Sequence, residues 1–204
     1  MRLRVLAAAL VATLAAGLAA CSSGPTNAAP TAAGTSAAAD AAFPATVATK
    51  FGDVTINAKP TKVVALGWGD AETALALGVQ PVGASDWLGF GGEGVGPWAK
   101  GLYTTPPVII GTMEPSFEKI AALKPDLILD VKGSGDQARY DRLKSIAPTI
   151  GVPKGGDSYL TNQQQQLSMI AAALGEKAKG EALAKEVTDA FTAAAAAHPG
   201  WKGK

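Results

Sequence analysis

Apolar and polar positions along the chain fall into short blocks that alternate between a period of two and a period near 3.6. Val108-Ile109-Ile110 is a compact apolar run closed by Gly111, and Leu127-Ile128-Leu129 is a second such run; both have the form of buried strands. Between them, Ser116 precedes Phe117, Ile120, Ala121 and Leu123, the spacing of one helix face behind a capping hydroxyl. Pro125 ends that helix, because proline disfavours helical geometry at Lys124. Lys62–Leu66, Pro81–Ala84 and Pro148–Val152 supply three more strands. Helices are predicted over Ala71–Leu77 (stopped by Gly78), Gln137–Ile146, Asn162–Leu174 (stopped by Gly175) and Lys177–His198. Phe43–Pro60 alternates apolar and polar residues around Gly52-Asp53, a hairpin pattern with that pair at the turn. Strands this apolar, interleaved with helices, imply a parallel sheet covered on both faces. The expected fold is α/β, a three-layer sandwich with a mostly parallel sheet, followed by a long helix spanning on the order of 30 Å.

The first forty residues follow a different pattern. Arg2 and Arg4 precede an apolar run from Val5 to Ala16, and small residues lead to Cys21. This is the layout of an export signal over residues 1–20, too short for a comfortable membrane span. Leu18-Ala19-Ala20-Cys21 resembles the lipobox of bacterial lipoproteins, which implies lipidation of Cys21, the only cysteine of the chain. Residues 21–42 are then the lipidated cysteine and a linker rich in Ala, Gly, Ser, Thr and Pro, unable to bury a core.

In parallel α/β sheets, ligands sit beyond the carboxyl ends of the strands. The residues that follow each predicted strand are Trp68, then Asp86 and Trp87, then Thr112 and Met113, then Lys132 and Ser134, with Tyr159 on the loop after the fifth. Tryptophan faces suit a bulky ligand and Lys132 suits negative charge on it. The segment from Asp86 to Pro106 is long, glycine-rich and carries Trp87, Phe90, Trp98 and Tyr103; loops of that length in compact domains are usually functional or disordered, and the concentration of aromatic residues favours function. Trp98 and Tyr103 are expected to pin it to the core. A full GxGxxG at Gly89, Gly91 and Gly94 lacks a preceding strand and a following helix, and Gly67-x-Gly69 has Glu72 where a third glycine belongs. No dinucleotide site is read at either place. Glu72, in the first turn of its helix, is expected to reach back as a capping carboxylate.

The words MEPSFEKIAALKPDLILD and YDRLKSIAPTI are similar to the N-terminal lobe of the periplasmic binding proteins that serve iron–siderophore, haem and cobalamin importers. The resemblance covers about 43–204. It implies a ligand-binding lobe over residues 43–175, and over 176–204 an interlobe helix and the start of a second lobe. It further implies that Glu118, which periodicity alone marks only as a solvent-facing carboxylate, docks onto the membrane permease. The chain is expected to be an N-terminal fragment of a longer product, because a second lobe of similar size closes over the ligand in that family.

Net charge and side-chain inventory narrow the function. A formal net charge of +1 without basic runs argues against nucleic acid. His198 is the only histidine and ends a helix, where contact with the last carbonyls is its expected role. No GxSxG, P-loop or HExxH pattern occurs. A zinc or manganese site, which usually needs several histidines, is disfavoured; a carboxylate iron site from Asp70, Asp86 and Glu114 stays open. The reading is a monomeric, non-enzymatic, lipid-anchored extracytoplasmic binding protein without a cofactor. It captures a ferric siderophore, of hydroxamate type by preference, and delivers it to an ABC transporter permease. Binding of a catecholate, haem, cobalamin or a bare metal ion, and a siderophore-processing hydrolase or reductase, are the alternatives.

Overall fold

The structure, a computed structural model, describes residues 42–201 and 203. The expected export signal, Cys21 and nearly all of the expected linker lie outside the described residues. Among the described residues, seven strands form two sheets. Strands β1 (Ala45–Thr49) and β2 (Gly52–Ile56) pair antiparallel, with Thr49 opposite Gly52. The main sheet holds β3 (Val63–Ala65), β4 (Gly83–Ser85), β5 (Val108–Gly111), β6 (Leu127–Leu129) and β7 (Thr149–Ile150), in the order β5-β4-β3-β6-β7. Every pairing in it is parallel.

Among the described residues, the α-helices that connect and flank these strands are α1 (Asp70–Ala76), α2 (Phe117–Leu123), α3 (Gln137–Lys144), α4 (Gln163–Leu174) and α5 (Lys177–Ala197). The pleat sends alternate residues of each strand to opposite faces. Val63, Ala65, Leu127 and Leu129 pack with Ala71, Ala74, Leu167, Ile170 and Leu174, so α1 and α4 cover one face. Val64, Leu66 and Ile128 pack with Ile120 and Leu143, placing α2 and α3 on the other. This is the three-layer α/β architecture predicted from the strand composition. Local signals hold it in place. Ser116, Asp136 and Asn162 each accept a hydrogen bond from the backbone N–H three residues on, and Lys124 ends α2 with φ 49° ahead of Pro125.

Several expectations need correction. The hairpin turns at Lys50-Phe51, not at Gly52-Asp53. Tertiary contacts select that turn: Phe51 stacks on Tyr140 at 4.0 Å between ring centroids, and the Lys50 N–H donates to the Val152 carbonyl. The second core strand lies at Gly83–Ser85 instead of beginning at Pro81, because proline has no N–H to pair; Val82 leads into the strand, its N–H donating to the Val63 carbonyl and its carbonyl accepting from the Val108 N–H. Val108 is exposed, since β5 is an edge strand, and Ala121 turns to solvent on α2. The His198 ring stacks on Trp201 at 4.0 Å.

Helix α5 is anchored at its start and free beyond it. Gly180 is its one buried residue among those described, and a Cβ there would press on Ala171 of α4 at 2.6 Å. Further along, Leu183 and Val187 are half-buried while Phe191 is 73% exposed. No described helix is long and apolar enough to cross a membrane.

Candidate functional site

The chain builds β3, β4 and β5 outward in one direction, then places β6 on the other side of β3. Such a reversal, here between the carboxyl ends of β3 and β6, is where open α/β sheets bind ligands. Two loops meet there. Gly67-Trp68-Gly69 leaves β3, and Val131 to Gly135 leaves β6; the Trp68 N–H donates to the Lys132 carbonyl at 3.0 Å.

Asp70 ties these loops together from below. It is fully buried, and its carboxylate accepts from the Gly67 N–H at 3.1 Å, the Val131 N–H at 2.8 Å and Gln166 Nε2 at 2.6 Å. Gln166 Nε2 also donates to the Trp68 carbonyl at 2.8 Å. Burial pushes the Asp70 carboxyl up to about 7, with the nearby Asp130 charge adding to the rise and the three donors opposing it. Position 67 must be glycine for this arrangement, since a Cβ would overlap the Asp70 carboxylate and come within 2.7 Å of the Lys132 nitrogen.

Aromatic rings line the rim above. Trp68 stacks with Tyr159 at 4.4 Å and with Trp87 at 5.7 Å between centroids. Trp87 meets Phe90 edge-on at 5.4 Å, and Phe90 meets Trp98 edge-on at 5.7 Å. Five rings from three loops therefore form one continuous run. Tyr159 holds φ 56°, unusual for a bulky residue, and its N–H donates to the Gly133 carbonyl at 2.8 Å.

A largely buried cation lies near the Tyr159 end of this wall. Arg139, in the first turn of α3, donates from Nη2 to Asp130 Oδ1 at 2.7 Å and from Nε to Asp130 Oδ2 at 3.1 Å. Its Nη1 donates to the Met113 carbonyl at 3.2 Å, which brings the guanidinium to the loop after β5. Burial raises the Asp130 carboxyl, with Arg139 working against that rise. For Arg139, burial opposes the charge but the Asp130 carboxylate outweighs it, and its proton is held more firmly than usual.

The strand-end residues singled out in the sequence divide into three groups. Trp68, Trp87 and Tyr159 come together in the aromatic run. Thr112 and Met113 are exposed beside the Arg139 contact, and Lys132 and Ser134 are half-buried on the loop after β6, where the Ser134 hydroxyl accepts from the Asp136 N–H at 3.3 Å. Asp86 is 8% exposed and turned into its own loop, where its oxygens accept from the Phe90 and Gly91 N–H groups at 2.7 and 2.8 Å. Asp70, Asp86 and Glu114 do not converge. Asp70 and Asp86 are occupied as described, and no group of three metal-ligating side chains occurs among the described residues. Glu72 makes no cap bond to Gly69; its Oε1 accepts from Trp87 Nε1 at 3.1 Å instead. Tyr103 is buried as expected, but Trp98 is 66% exposed and packs on Phe90 above the loop, not on the core.

Glu118 is exposed in the first turn of α2. Its carboxyl is held below the usual range by its own backbone N–H and by the Ser116 hydroxyl, which donates at 3.2 Å. Arg142 lies 3.6 Å over the Phe117 ring beside it.

Arg139 and Gln166 were missed in the sequence. The signal for the first was an acid directly after a strand, Asp130, with an arginine early in the next helix. The signal for the second was a glutamine four residues before Ile170, on the apolar stripe of α4 at the end of a run of four glutamines; Gln166 is only 7% exposed.

Residues 63–204 match the sequence profile of a family described as periplasmic binding protein. The chain is 35% identical over 130 residues to the probable siderophore-binding lipoprotein YfiY of Bacillus subtilis, covering 62% of this chain and 37% of that one. Its fold superposes with a TM-score of 0.73 on a periplasmic solute binding protein from Mycobacterium smegmatis, at 35% identity, over 78% of this chain and 56% of that one. It superposes with a TM-score of 0.66 on PiaA of Streptococcus pneumoniae in complex with ferrichrome, at 28% identity, over 76% and 52% of the two chains. The chain thus spans between about a third and a little over half of the length of these relatives. With the three-layer sheet, its strand reversal and a profile match over most of its length, the chain belongs to the periplasmic binding protein family.

Proposed function

We propose that this chain forms the ligand-binding N-terminal lobe of a solute-binding protein that captures a ferric siderophore, of hydroxamate type by preference, for an ABC importer. The observation that carries this reading is the run of Trp98, Phe90, Trp87, Trp68 and Tyr159 along the rim, with Arg139 near its Tyr159 end. Rings of this size each offer on the order of 150–250 Å² of contact. A siderophore chelate is bulky, largely apolar outside and rich in acceptor oxygens, so a flat aromatic wall edged by a guanidinium and Lys132 suits it. The asymmetry of the wall, with donors on one side and rings on the other, would orient the chelate as it docks.

No covalent step is implied. Affinity would come from preorganisation: Asp70 and Gln166 fix the Trp68 and Lys132 loops before ligand arrives, which lowers the ordering cost of binding. Thr112, Met113, Ser134 and the positions flanking them would complete the lining. We assign Glu118 to docking on the permease, on the far side of α2 from the core, and the exposed apolar stretch of α5 to contact with a second lobe. We assign Cys21 to lipid attachment, which would place the lobe outside the cytoplasmic membrane. The relatives named above are described as siderophore-binding, solute-binding or ferrichrome-complexed, which supports the ligand class.

The test is tryptophan-fluorescence titration of the protein with ferrichrome, ferric citrate, haem and cobalamin, using iron-free siderophore as control. Saturable quenching by a ferric siderophore, absent with its iron-free form, is expected. Quenching by haem or cobalamin alone would replace the ligand class, and no quenching by any of them from folded protein would overturn the reading.

A further inference from the structure

We propose that Glu72 is a positioning residue that sets the orientation of Trp87 and, through it, the shape of the aromatic wall. The role in recognition rests on the function proposed above; the positioning itself does not. Glu72 Oε1 accepts from two groups that are remote from each other in the sequence: Trp87 Nε1 at 3.1 Å and the Gly96 N–H at 3.4 Å. The first belongs to the start of the long aromatic loop and the second to its middle. One carboxylate oxygen on helix α1 therefore clamps both limbs of the segment that carries Trp87, Phe90 and Trp98.

The second half of the loop is seated in the core by Val95, Ala99 and Tyr103 and tied to Gln80 through Leu102 and Thr104; the half that carries Trp87 and Phe90 is glycine-rich. Gly89, Gly91, Gly92 and Gly94 all take left-handed φ values between 59° and 76°. Leu88, Trp98 and Leu102 are exposed. Asp86 closes the first turn through the Phe90 and Gly91 N–H groups, but it does not touch an indole. The Trp98 ring lies over Gly96, so a Cβ at that position would overlap it. Holding Gly96 thus also seats Trp98. The indole of Trp87 has one N–H donor, and its bond to Glu72 fixes which ring edge faces the helix and which face is turned to Trp68.

The rest of the Glu72 carboxylate has a structural cost. Among the described residues its Oε2 is buried with no partner, and so is the hydroxyl of Tyr103. Burial, then the charges of Glu72 and Glu93, raise the Tyr103 hydroxyl well above its ordinary range. An unpaired buried acceptor is costly, so packing alone does not account for a carboxylate at this position. A carboxylate that must grip an indole and an amide with one oxygen leaves the other where it falls.

The experiment compares Glu72→Ala and Glu72→Gln in the full chain, reading the indole N–H signals by NMR and assigning the Trp87 signal with Trp87→Phe. Removing the acceptor should speed solvent exchange of the Trp87 indole N–H on the order of ten-fold or more, while Glu72→Gln, which keeps an acceptor oxygen, stays close to the parent. Affinity for ferrichrome should fall in the same order, with Glu72→Gln recovering most of it. Unchanged Trp87 exchange in Glu72→Ala would overturn the proposal, even if that variant melts earlier. Should Glu72→Ala not fold, the exchange rate of the Trp87 indole in the unsubstituted chain decides: slow exchange supports the clamp and exchange at the bulk rate refutes it. If the parent protein binds no ferric chelate, the siderophore reading fails while the indole signals still decide the positioning.

Discussion

Replacing Asp70 with asparagine should change the pH dependence of stability in a defined direction. Asp70 is fully buried and its carboxyl is raised to about 7 from an ordinary value of 3.8. Between those values the folded protein holds a proton that the unfolded chain has released, so stability falls as pH rises, by at most about 1.4 kcal/mol per pH unit. Integrated from about pH 5 to about pH 8, the loss attributable to this one group is roughly 2–3 kcal/mol. Below about pH 3 both states are protonated and the effect levels off; above about pH 8 both are ionised. Asparagine keeps an acceptor for the Gly67 and Val131 N–H groups but cannot ionise, so its curve lacks this descent. The assay is urea unfolding followed by far-ultraviolet circular dichroism, for parent and Asp70→Asn, at several pH values across that range. The quantity to compare is the difference between the two proteins, which removes the contributions of every other titrating group. Parallel curves, or a parent that gains stability relative to the variant as pH rises, would refute the account of Asp70 as a buried carboxyl that prefers its proton.

Other consequences follow from the same geometry. Arg139→Ala should destabilise the fold by about 3–5 kcal/mol, because Asp130 is left as a buried unpaired charge; the double change with Asp130→Ala should recover much of that in a thermal or urea melt. Ser116→Ala should cost about 1 kcal/mol in the same assay by removing the cap of α2. It should also raise the Glu118 carboxyl, observable in an NMR pH titration, since the hydroxyl that donates to it is gone. Glu118→Ala should leave ferrichrome affinity unchanged while slowing iron uptake in cells; a large loss of affinity would contradict the docking assignment.

Strand and helix identity was legible because each signal was local. The apolar triplet Leu127-Ile128-Leu129, the cap at Ser116 and the stop at Pro125 act within a few residues of themselves. Elements fixed by distant contacts were not. The hairpin turn depends on Phe51 meeting Tyr140, and the place of β5 at the sheet edge follows from pairing order, which local pattern does not encode. The same division holds at the site. Trp68, Trp87 and Tyr159 stood out as aromatic residues after strands, and they do come together. Gln166 hid in a run of glutamines, Arg139 among ordinary helix charges, and Glu72 behind a plausible local capping role, because the partners of all three lie in other elements. Buried acids next to strand ends, such as Asp70 and Asp130, were the overlooked indication that such partners were needed.

The claim that this site takes a ferric siderophore is tested most directly by equilibrium dialysis with radio-iron-labelled ferrichrome, in parallel on the parent protein and on Trp68→Ala. The account predicts saturable retention of labelled chelate by the parent, displaced by unlabelled ferrichrome and not by its iron-free form, and weakened on the order of ten-fold or more in the variant, as expected for an aromatic anchor. Equal retention by both proteins would place the chelate elsewhere, and no saturable retention by the folded parent would contradict the assignment of this lobe to ferric siderophore capture.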